Sequence, residues 1–139
     1  MGRKKELTPN EARKKRAGLC IASYCTKKAP KGRHMCYACA RRDWAERNPE
    51  HYLFCNLRGN ARRRGKEFGI SLDEFKEFLE KENYLRRKRG RTKTSVSIDR
   101  PDNTRGYFAD NMGTLTLKAN AEKMHYVDYF RRQYEQASA

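Results

Sequence analysis

The sequence feature that most restricts the fold is a group of four cysteines between positions 20 and 39. They form two pairs, separated internally by four and by two residues: Cys20 and Cys25, then Cys36 and Cys39. Paired thiolates at such spacings are typical of an intracellular Zn²⁺ site, and four of them leave no coordination position open for a reaction. The pattern predicts a structural zinc knuckle over residues 18–45. His34 as a substitute ligand, or thiols without metal, are the alternatives.

The chain is too short and too polar to build a large core. It has 139 residues, of which 37% are hydrophobic, which suits one domain or one small domain with a satellite module. A structural zinc ion contributes on the order of 10 kcal/mol to such a module, so it can compensate for missing apolar surface. Cys55, the fifth cysteine, is expected to be a small buried residue.

Positive charge is the main compositional signal about function. Lysine and arginine number 33 against 17 acidic residues, which leaves a formal net charge of +16. Such an excess points to a polyanionic partner, and nucleic acid is the default. The alternative is a general basic surface of the kind that ribosomal and virion proteins share. No apolar run approaches the roughly 20 residues that span a bilayer, so the chain is expected to be soluble and cytoplasmic, with no membrane partner.

The N-terminal region is a basic arm followed by the knuckle. Residues 1–17 are almost devoid of apolar side chains, so this arm is expected to have no core and to become ordered against a partner. Within it, Thr8 as a cap and Pro9 in a first turn can start a short helix. Another helix is predicted from the second cysteine pair to about Asn48.

Two further helices are predicted from their caps. One begins at Pro49, a favourable first-turn residue, and ends at the cationic sequence before Gly65. Ser71 and Glu74 have the spacing of a capping box, and an apolar stripe follows them. This pattern predicts a helix over residues 72–87.

The C-terminal part of the chain has the pattern strand, loop, strand, helix. Val96 and Ile98 alternate with serines as in a half-buried strand, and Leu115 with Leu117 predicts a second short strand. A final amphipathic helix is indicated by the apolar positions Ala119, Met124, Val127, Phe130 and Tyr134. The predicted fold class is therefore α+β, with a second domain over residues 49–135.

Asp and Asn recur at defined positions across this hairpin and helix: Ser97-Ile98-Asp99-Arg100, Asp102-Asn103, Gly106-Tyr107, Asp110-Asn111 and Asn120-x2-Lys123. The pattern resembles the HNH, or His-Me finger, endonuclease family, in particular bacteriophage-encoded members with an upstream cysteine cluster. The resemblance covers roughly residues 94–125. It implies a ββα-metal finger, metal-dependent hydrolysis of phosphodiester bonds in DNA, and, for a phage protein, the cytoplasm of a bacterial host.

The resemblance also implies roles for individual residues. Asp99 and Asn120 correspond to the ligands of one divalent cation, Mg²⁺ or Mn²⁺, and Asn111 corresponds to the residue that steadies the loop. Arg100 stands where the family has its general-base histidine, and Lys123 would help to hold the scissile phosphate. Arginine stays protonated at working pH, so Arg100 can clamp a phosphate but cannot act as an ordinary base.

Other groups can be considered as the missing base. His125 lies near the segment, but it is five residues from Asn120, about 140° around a helix, and is not expected to share its face. Asp102 and a metal-bound hydroxide are the other candidates. The plainer interpretation is a hairpin without metal, because Asp and Asn between strands are good turn residues and Asn120 can cap a helix.

Three functions remain open from the sequence. The first is a DNA endonuclease; the second is a catalytically degenerate HNH-fold protein that binds nucleic acid or regulates a host polymerase or nuclease. The third is a structural component of a ribonucleoprotein or virion. In each case, the residues expected to contact nucleic acid are the following arginines and lysines: Arg62, Arg63, Arg64, Arg86, Arg87, Lys88, Arg89, Arg91, Lys93 and Arg105.

Overall fold

The structure is a computed structural model that describes residues 6–123. The chain divides into two compact units, Met1–Tyr52 and Leu53–Ala139. The α+β class predicted from the sequence is confirmed. Four helices and two strands have the bounds α1 Pro9–Arg16, α2 Tyr37–Arg47, α3 Pro49–Arg63, α4 Leu72–Lys81, β1 Val96–Asp99 and β2 Gly113–Thr116. Residues 117–123 form a further helix, α5, so the order strand, loop, strand, helix is also confirmed.

The first unit begins with the helix that Thr8 was expected to cap. The Thr8 hydroxyl accepts from the Glu11 N–H, and the Glu11 carboxylate accepts from the Thr8 N–H, which completes a capping box. Helix α1 buries none of its residues, as expected for an arm without a core. The arm is nevertheless folded, because Lys14 Nζ donates to three carbonyls of the cysteine segment at 2.7–3.1 Å.

Helices α2 and α3 begin and end close to the predicted positions. Helix α2 ends at Arg47, and the Asn48 N–H then donates to the Trp44 carbonyl at 2.9 Å. Helix α3 starts at Pro49, as predicted from the tolerance for proline in a first helical turn. Past its end, Gly65 has a φ of +61°, a left-handed conformation that glycine adopts at little cost.

The second unit has a small aromatic core. Its buried side chains lie on α3, on α4 and in the segments directly before and after α4, and on β1: Phe54, Ile70, Phe75, Leu79, Tyr84 and Val96. The ring of Phe54 contacts those of Phe68 and Phe75 at centroid distances of 5.3 and 5.6 Å. Each such buried side chain contributes about 1.5–3 kcal/mol to folding through removal from water. Cys55 was expected to be buried, but it is only partly buried and packs against this cluster.

Helix α4 is capped as predicted but is shorter than the expected 72–87. Ser71 and Glu74 form the predicted capping box, and the Ser71 N–H lowers the pKa of the Glu74 carboxyl. The helix ends at Lys81 because Asn83 adopts a left-handed conformation with φ of +53°. A 3₁₀ turn over Tyr84–Arg86 follows, and it buries Tyr84.

The two strands form an antiparallel hairpin in the register Ser97 opposite Leu115 and Asp99 opposite Gly113. Leu117 was expected in the second strand, but it is the first residue of α5. The reason is local: the Thr116 hydroxyl accepts from the Ala119 N–H at 3.1 Å and so caps the helix at this point. Apolar positions predicted beyond residue 123 lie outside the described residues, as does His125.

Among residues 6–123, no helix is both long enough and apolar enough to cross a bilayer.

Candidate functional site

The structure brings the four predicted zinc ligands together. Their Sγ atoms all lie within 4.8 Å of one another, and those of Cys25 and Cys36 are 3.7 Å apart. A tetrahedral ion with metal–sulfur bonds of about 2.3 Å has sulfur–sulfur edges of about 3.8 Å, whereas a disulfide is close to 2 Å. All four cysteines are free thiols. The donor set and its spacing therefore fit a structural metal ion.

The backbone around the cysteines holds this geometry in place. Leu19 and Lys28 form an isolated antiparallel bridge, and the Cys20 N–H donates to the Lys27 carbonyl at 2.9 Å. The Ile21 N–H donates to the carbonyl of His34 at 2.9 Å. His34 is not part of the thiol cluster, so the substitute ligand considered from the sequence is not adopted.

Apart from its cysteines, the described part of the first unit buries almost no side chains. Within residues 6–52, Cys20 and Cys36 are the two residues that reach full burial. A unit with so little buried apolar surface cannot offset the loss of conformational entropy on folding by packing alone. The cysteine cluster is consequently the core of this unit.

The thiols of the cluster differ in acidity. The backbone N–H of Cys39, in the first turn of α2, lowers the pKa of Cys36 to about 7, assisted by thiol donors that outweigh the effect of burial. Hydrogen bonding to Cys36 and Cys25 raises the pKa of Cys39 to about 12. The thiolate is the form that binds metal, so the hydrogen bonds that lower the pKa of Cys36 favour its role as a ligand.

The second site expected from the sequence lies in the hairpin, where Asn111 ties the loop together. Its side chain is only 2% exposed and makes three hydrogen bonds to the backbone. Its Oδ1 accepts from the Asp102 N–H at 2.9 Å, and its Nδ2 donates to the carbonyls of Asp102 and Gly106 at 3.0 and 2.9 Å. These three bonds tie Asn111 to the backbone at Asp102 and Gly106.

The carboxylate of Asp99 forms an ion pair with the ammonium group of Lys123. Lys123 Nζ donates to both carboxylate oxygens at 2.9 and 3.1 Å and to the Arg100 carbonyl at 2.5 Å. The side chains of Asp99 and Lys123 are 8% and 25% exposed, so this ion pair is largely shielded from water. The predicted phosphate-holding lysine is thus engaged with the predicted metal ligand.

Asn120 faces the same cavity as Asp99 but has a different partner. Its Nδ2 donates to the Ser97 hydroxyl at 3.3 Å. Asp99, Arg100 and Asn120 line a cavity of about 470 Å³, together with Arg64. Within residues 6–123, the cysteine cluster is the one group of three or more His, Cys, Asp or Glu side chains arranged to hold a metal ion. The hairpin therefore lacks a ready-made set of acidic ligands.

The candidate bases and phosphate clamps in the loop are occupied by neighbours. The Thr104 hydroxyl and N–H donate to Asp102 and lower the pKa of its carboxyl, which weakens Asp102 as a base. Arg100 Nη1 donates to the carbonyls of Asn103 and Arg105 at 3.3 and 2.6 Å.

Arg105 forms a paired contact with Asp110, from Nη1 and Nη2 to the two carboxylate oxygens at 3.0 and 3.1 Å. This contact raises the pKa of Arg105 and lowers that of Asp110. Both arginines of the loop are consequently used to hold its shape.

The ten cations predicted to contact nucleic acid are all exposed. Arg62, Arg63 and Arg64 lie at and just beyond the end of α3, and Arg64 also lines the cavity beside Asp99. Arg87 donates to the Thr114 hydroxyl at 2.8 Å. Sequence reasoning missed Lys66, which lines the same cavity, and the structural role of Lys14. Lys14 gave no signal, because it stood in a run of like charges.

Comparisons with protein-family models, with curated proteins and with solved structures find no match to this chain.

Proposed function

We propose that this chain is a DNA-binding protein that contains a structural zinc ion and a hairpin of HNH type that has lost its catalytic metal. The hairpin serves as a scaffold that presents cations to the sugar-phosphate backbone. Hydrolysis of that backbone is not part of this proposal. The observation that carries it is the ion pair between Lys123 and Asp99.

The Lys123 ammonium makes the contacts that a divalent cation would make in an HNH-type hairpin. An ammonium group has three donors, and three oxygens accept from it: both carboxylate oxygens of Asp99 and the carbonyl of Arg100. A cation tethered to the chain has a high effective concentration at its own site, so it competes strongly with Mg²⁺ from solution. The carboxylate is neutralised without a metal.

The protonation chemistry of the loop also argues against cleavage. Water activation requires a base whose pKa lies near the working pH. Arg100 replaces the histidine of the family pattern, and Thr104 makes Asp102 more acidic. The histidines of the described residues, His34 and His51, both belong to the first unit, and His125 lies outside the described residues.

Charge supports DNA as the partner. The net charge of +16 and the ten exposed cations favour a polyanion, and each phosphate contact releases counterions from the duplex. Arg64 and Lys66 line the cavity at Asp99, and Arg64 and Arg89 line a second cavity of about 510 Å³ in the same unit. These cationic side chains favour binding of a DNA sugar-phosphate backbone along this face of the hairpin.

Zinc is proposed for the cysteine cluster. Four thiolates with tetrahedral spacing select Zn²⁺ among the common intracellular ions. Such a site has no open coordination position, so its role is to hold the first unit folded. Metal content of the purified protein, measured against a variant with Cys36→Ala, tests this assignment directly.

A metal-dependent nuclease is the second candidate, and one observation favours it. Asp99 and Asn120 do line a common cavity with cationic walls, as a scissile phosphate would require. In that case Lys123 would release Asp99 when Mg²⁺ and DNA bind. The two candidates differ in whether DNA is cut.

A plasmid-nicking assay with Mg²⁺, Mn²⁺ or EDTA distinguishes them, combined with salt-dependent DNA binding on the same preparation. The proposal expects binding that weakens steeply with salt and no breaks under any of the three conditions. Breaks that require metal and disappear in Asp99→Ala would establish the nuclease instead. The matched control is Asp73→Ala, an acidic residue of the first turn of α4. Absence of DNA binding at low salt would refute both candidates.

A further inference from the structure

The cysteine unit carries an unbroken stretch of positive charge that the hairpin does not explain. Residues 13–42 contain no acidic residue. Ten cations fall in this stretch: Arg13, Lys14, Lys15, Arg16, Lys27, Lys28, Lys31, Arg33, Arg41 and Arg42. Four thiolates around a divalent ion subtract two charges, which leaves the unit strongly basic. A surface of this kind recruits phosphates.

Two aromatic side chains are exposed within the same stretch. Tyr24 is 98% exposed and Tyr37 is 68% exposed, and they are the two large hydrophobic side chains that stand out from the surface of residues 6–123. Tyr24 has no packing role at this exposure. The guanidinium of Arg33 lies over the Tyr37 ring at 5.1 Å from its centroid. An aromatic ring paired with a cation in this way is suited to stacking on a base beside its phosphate.

Tyr24 lines a pocket whose lining also includes two cationic side chains. The pocket has a volume of about 170 Å³ and adjoins Cys25, Cys36 and Cys39. Its remaining lining comprises two alanines, which add apolar surface, and three larger side chains: Tyr24, Lys27 and Arg42. Apolar surface, one exposed ring and two cations are the elements that hold a nucleotide by its base and its phosphate.

We infer that this face of the cysteine unit binds unpaired nucleotides of single-stranded DNA, with Tyr24 as a stacking platform and Lys27 and Arg42 as phosphate contacts. The inference rests on the proposed DNA-binding function and assigns part of it to the first unit. The π-face of Tyr24 can be covered only by a base that has left its own stack, because in a duplex both faces of each base are occupied. The face is therefore selective for single strands, whereas the cations of the hairpin serve any phosphate backbone.

The test uses the full-length, zinc-loaded protein and a labelled oligonucleotide, either single-stranded or as a duplex of equal length. Anisotropy titrations at several salt concentrations give the affinity and its salt dependence. Tyr24→Ala is expected to weaken single-strand binding about tenfold at every salt concentration, to leave the salt dependence unchanged and to spare the duplex. Tyr24→Phe keeps the ring and is expected to bind as the wild type does. Zinc content reports that the variants are folded.

Two lysines of the same loop give a matched pair for the phosphate contact. Lys27 lines the pocket and Lys31 does not. Lys27→Ala is expected to reduce the slope of log affinity against log salt by about 0.7, the value for one contact to a single strand, while Lys31→Ala changes it less. Equal changes in the two variants would overturn the role of the pocket.

The outcomes separate this inference from the function on which it rests. If the protein binds DNA and Tyr24→Ala binds single strands as tightly as the wild type, the inference fails and the DNA-binding proposal stands. Equal losses on single strands and duplex would also overturn it. A preference for the RNA form of the oligonucleotide that depends on Tyr24 would refute DNA as the ligand of this face. If the wild type binds no DNA at low salt, the proposed function fails first.

Discussion

Replacement of Lys123 by methionine tests whether its ammonium substitutes for a metal ion. Methionine keeps the apolar stem of the side chain and removes the charge, so Asp99 is left with an uncompensated carboxylate that is 8% exposed. Breaking a fully buried ion pair by removing one partner costs about 3–5 kcal/mol, and breaking an exposed pair costs about 0–1 kcal/mol. Because the Lys123 side chain is 25% exposed, we expect a loss of about 2–3 kcal/mol.

Thermal unfolding monitored by circular dichroism measures this loss, and divalent ions then test its cause. A loss of this size lowers the melting temperature of the second unit by about 10–15 °C. The variant exposes three oxygens that previously accepted from the ammonium, and these are ligands that Mg²⁺ and Mn²⁺ prefer. Mn²⁺ at 100 times its dissociation constant would restore about 2.7 kcal/mol, whereas the wild type should gain nothing from the ion.

Lys118→Met on the same helix is the control. Lys118 is 67% exposed and pairs with Glu122 at 3.8 Å, so its loss changes the charge equally but costs about 0.5 kcal/mol or less. Equal destabilisation by the two substitutions would refute the buried ion pair. Stabilisation of the wild type by Mn²⁺ would show that the ammonium does not occupy the cation position.

Three further substitutions test the loop and the metal cluster. Cys36→Ala should release zinc and unfold the first unit, with zinc content and the far-ultraviolet helix signal falling together; a folded variant without metal would refute the metal-dependent core. Asn111→Ala should destabilise the second unit by about 3 kcal/mol in urea, because one buried and two partly buried backbone groups lose their partner, and a cost below about 1 kcal/mol would contradict this. Gly106→Ala places a Cβ 2.3 Å from the Glu67 carbonyl oxygen, so we expect a loss of about 1–3 kcal/mol by the same measurement; a neutral variant would show that the loop can move away.

Local signals were sufficient to predict most of the element boundaries. The two capping boxes depend on residues three apart, and proline and glycine marked both ends of α3 correctly. The cysteine spacing likewise predicted a cluster whose ligands are close in sequence. The boundaries that were predicted wrongly also have local causes, but the residue types at those positions do not reveal them. Asn83 ends α4 in a left-handed conformation without glycine, and Thr116 caps α5 one residue before the expected strand ends.

The candidate site was less predictable because its contacts join distant residues. The pattern of Asp and Asn indicated which side chains meet in the hairpin, but it gave no information on the partner of each. Lys123 is 24 residues from Asp99, and nothing in the spacing distinguishes a lysine that holds a phosphate from one that neutralises the carboxylate. Likewise, the hydrogen bonds of Lys14 join it to carbonyls that are 8 to 11 residues further along the chain, a separation that no local pattern marks.

The two units are stabilised in different ways. The first buries little beyond its own cysteines, so we expect its stability to depend on an ion bound by the four thiolates. The second has an aromatic core, and its Asp99 carboxylate is paired with a cation of the same chain, Lys123. A nuclease must leave its cation site open to water and substrate, whereas a scaffold gains stability by closing it. Under the proposed function, the closed pair of Asp99 and Lys123 is the physical reason why we expect the hairpin to hold DNA without cutting it.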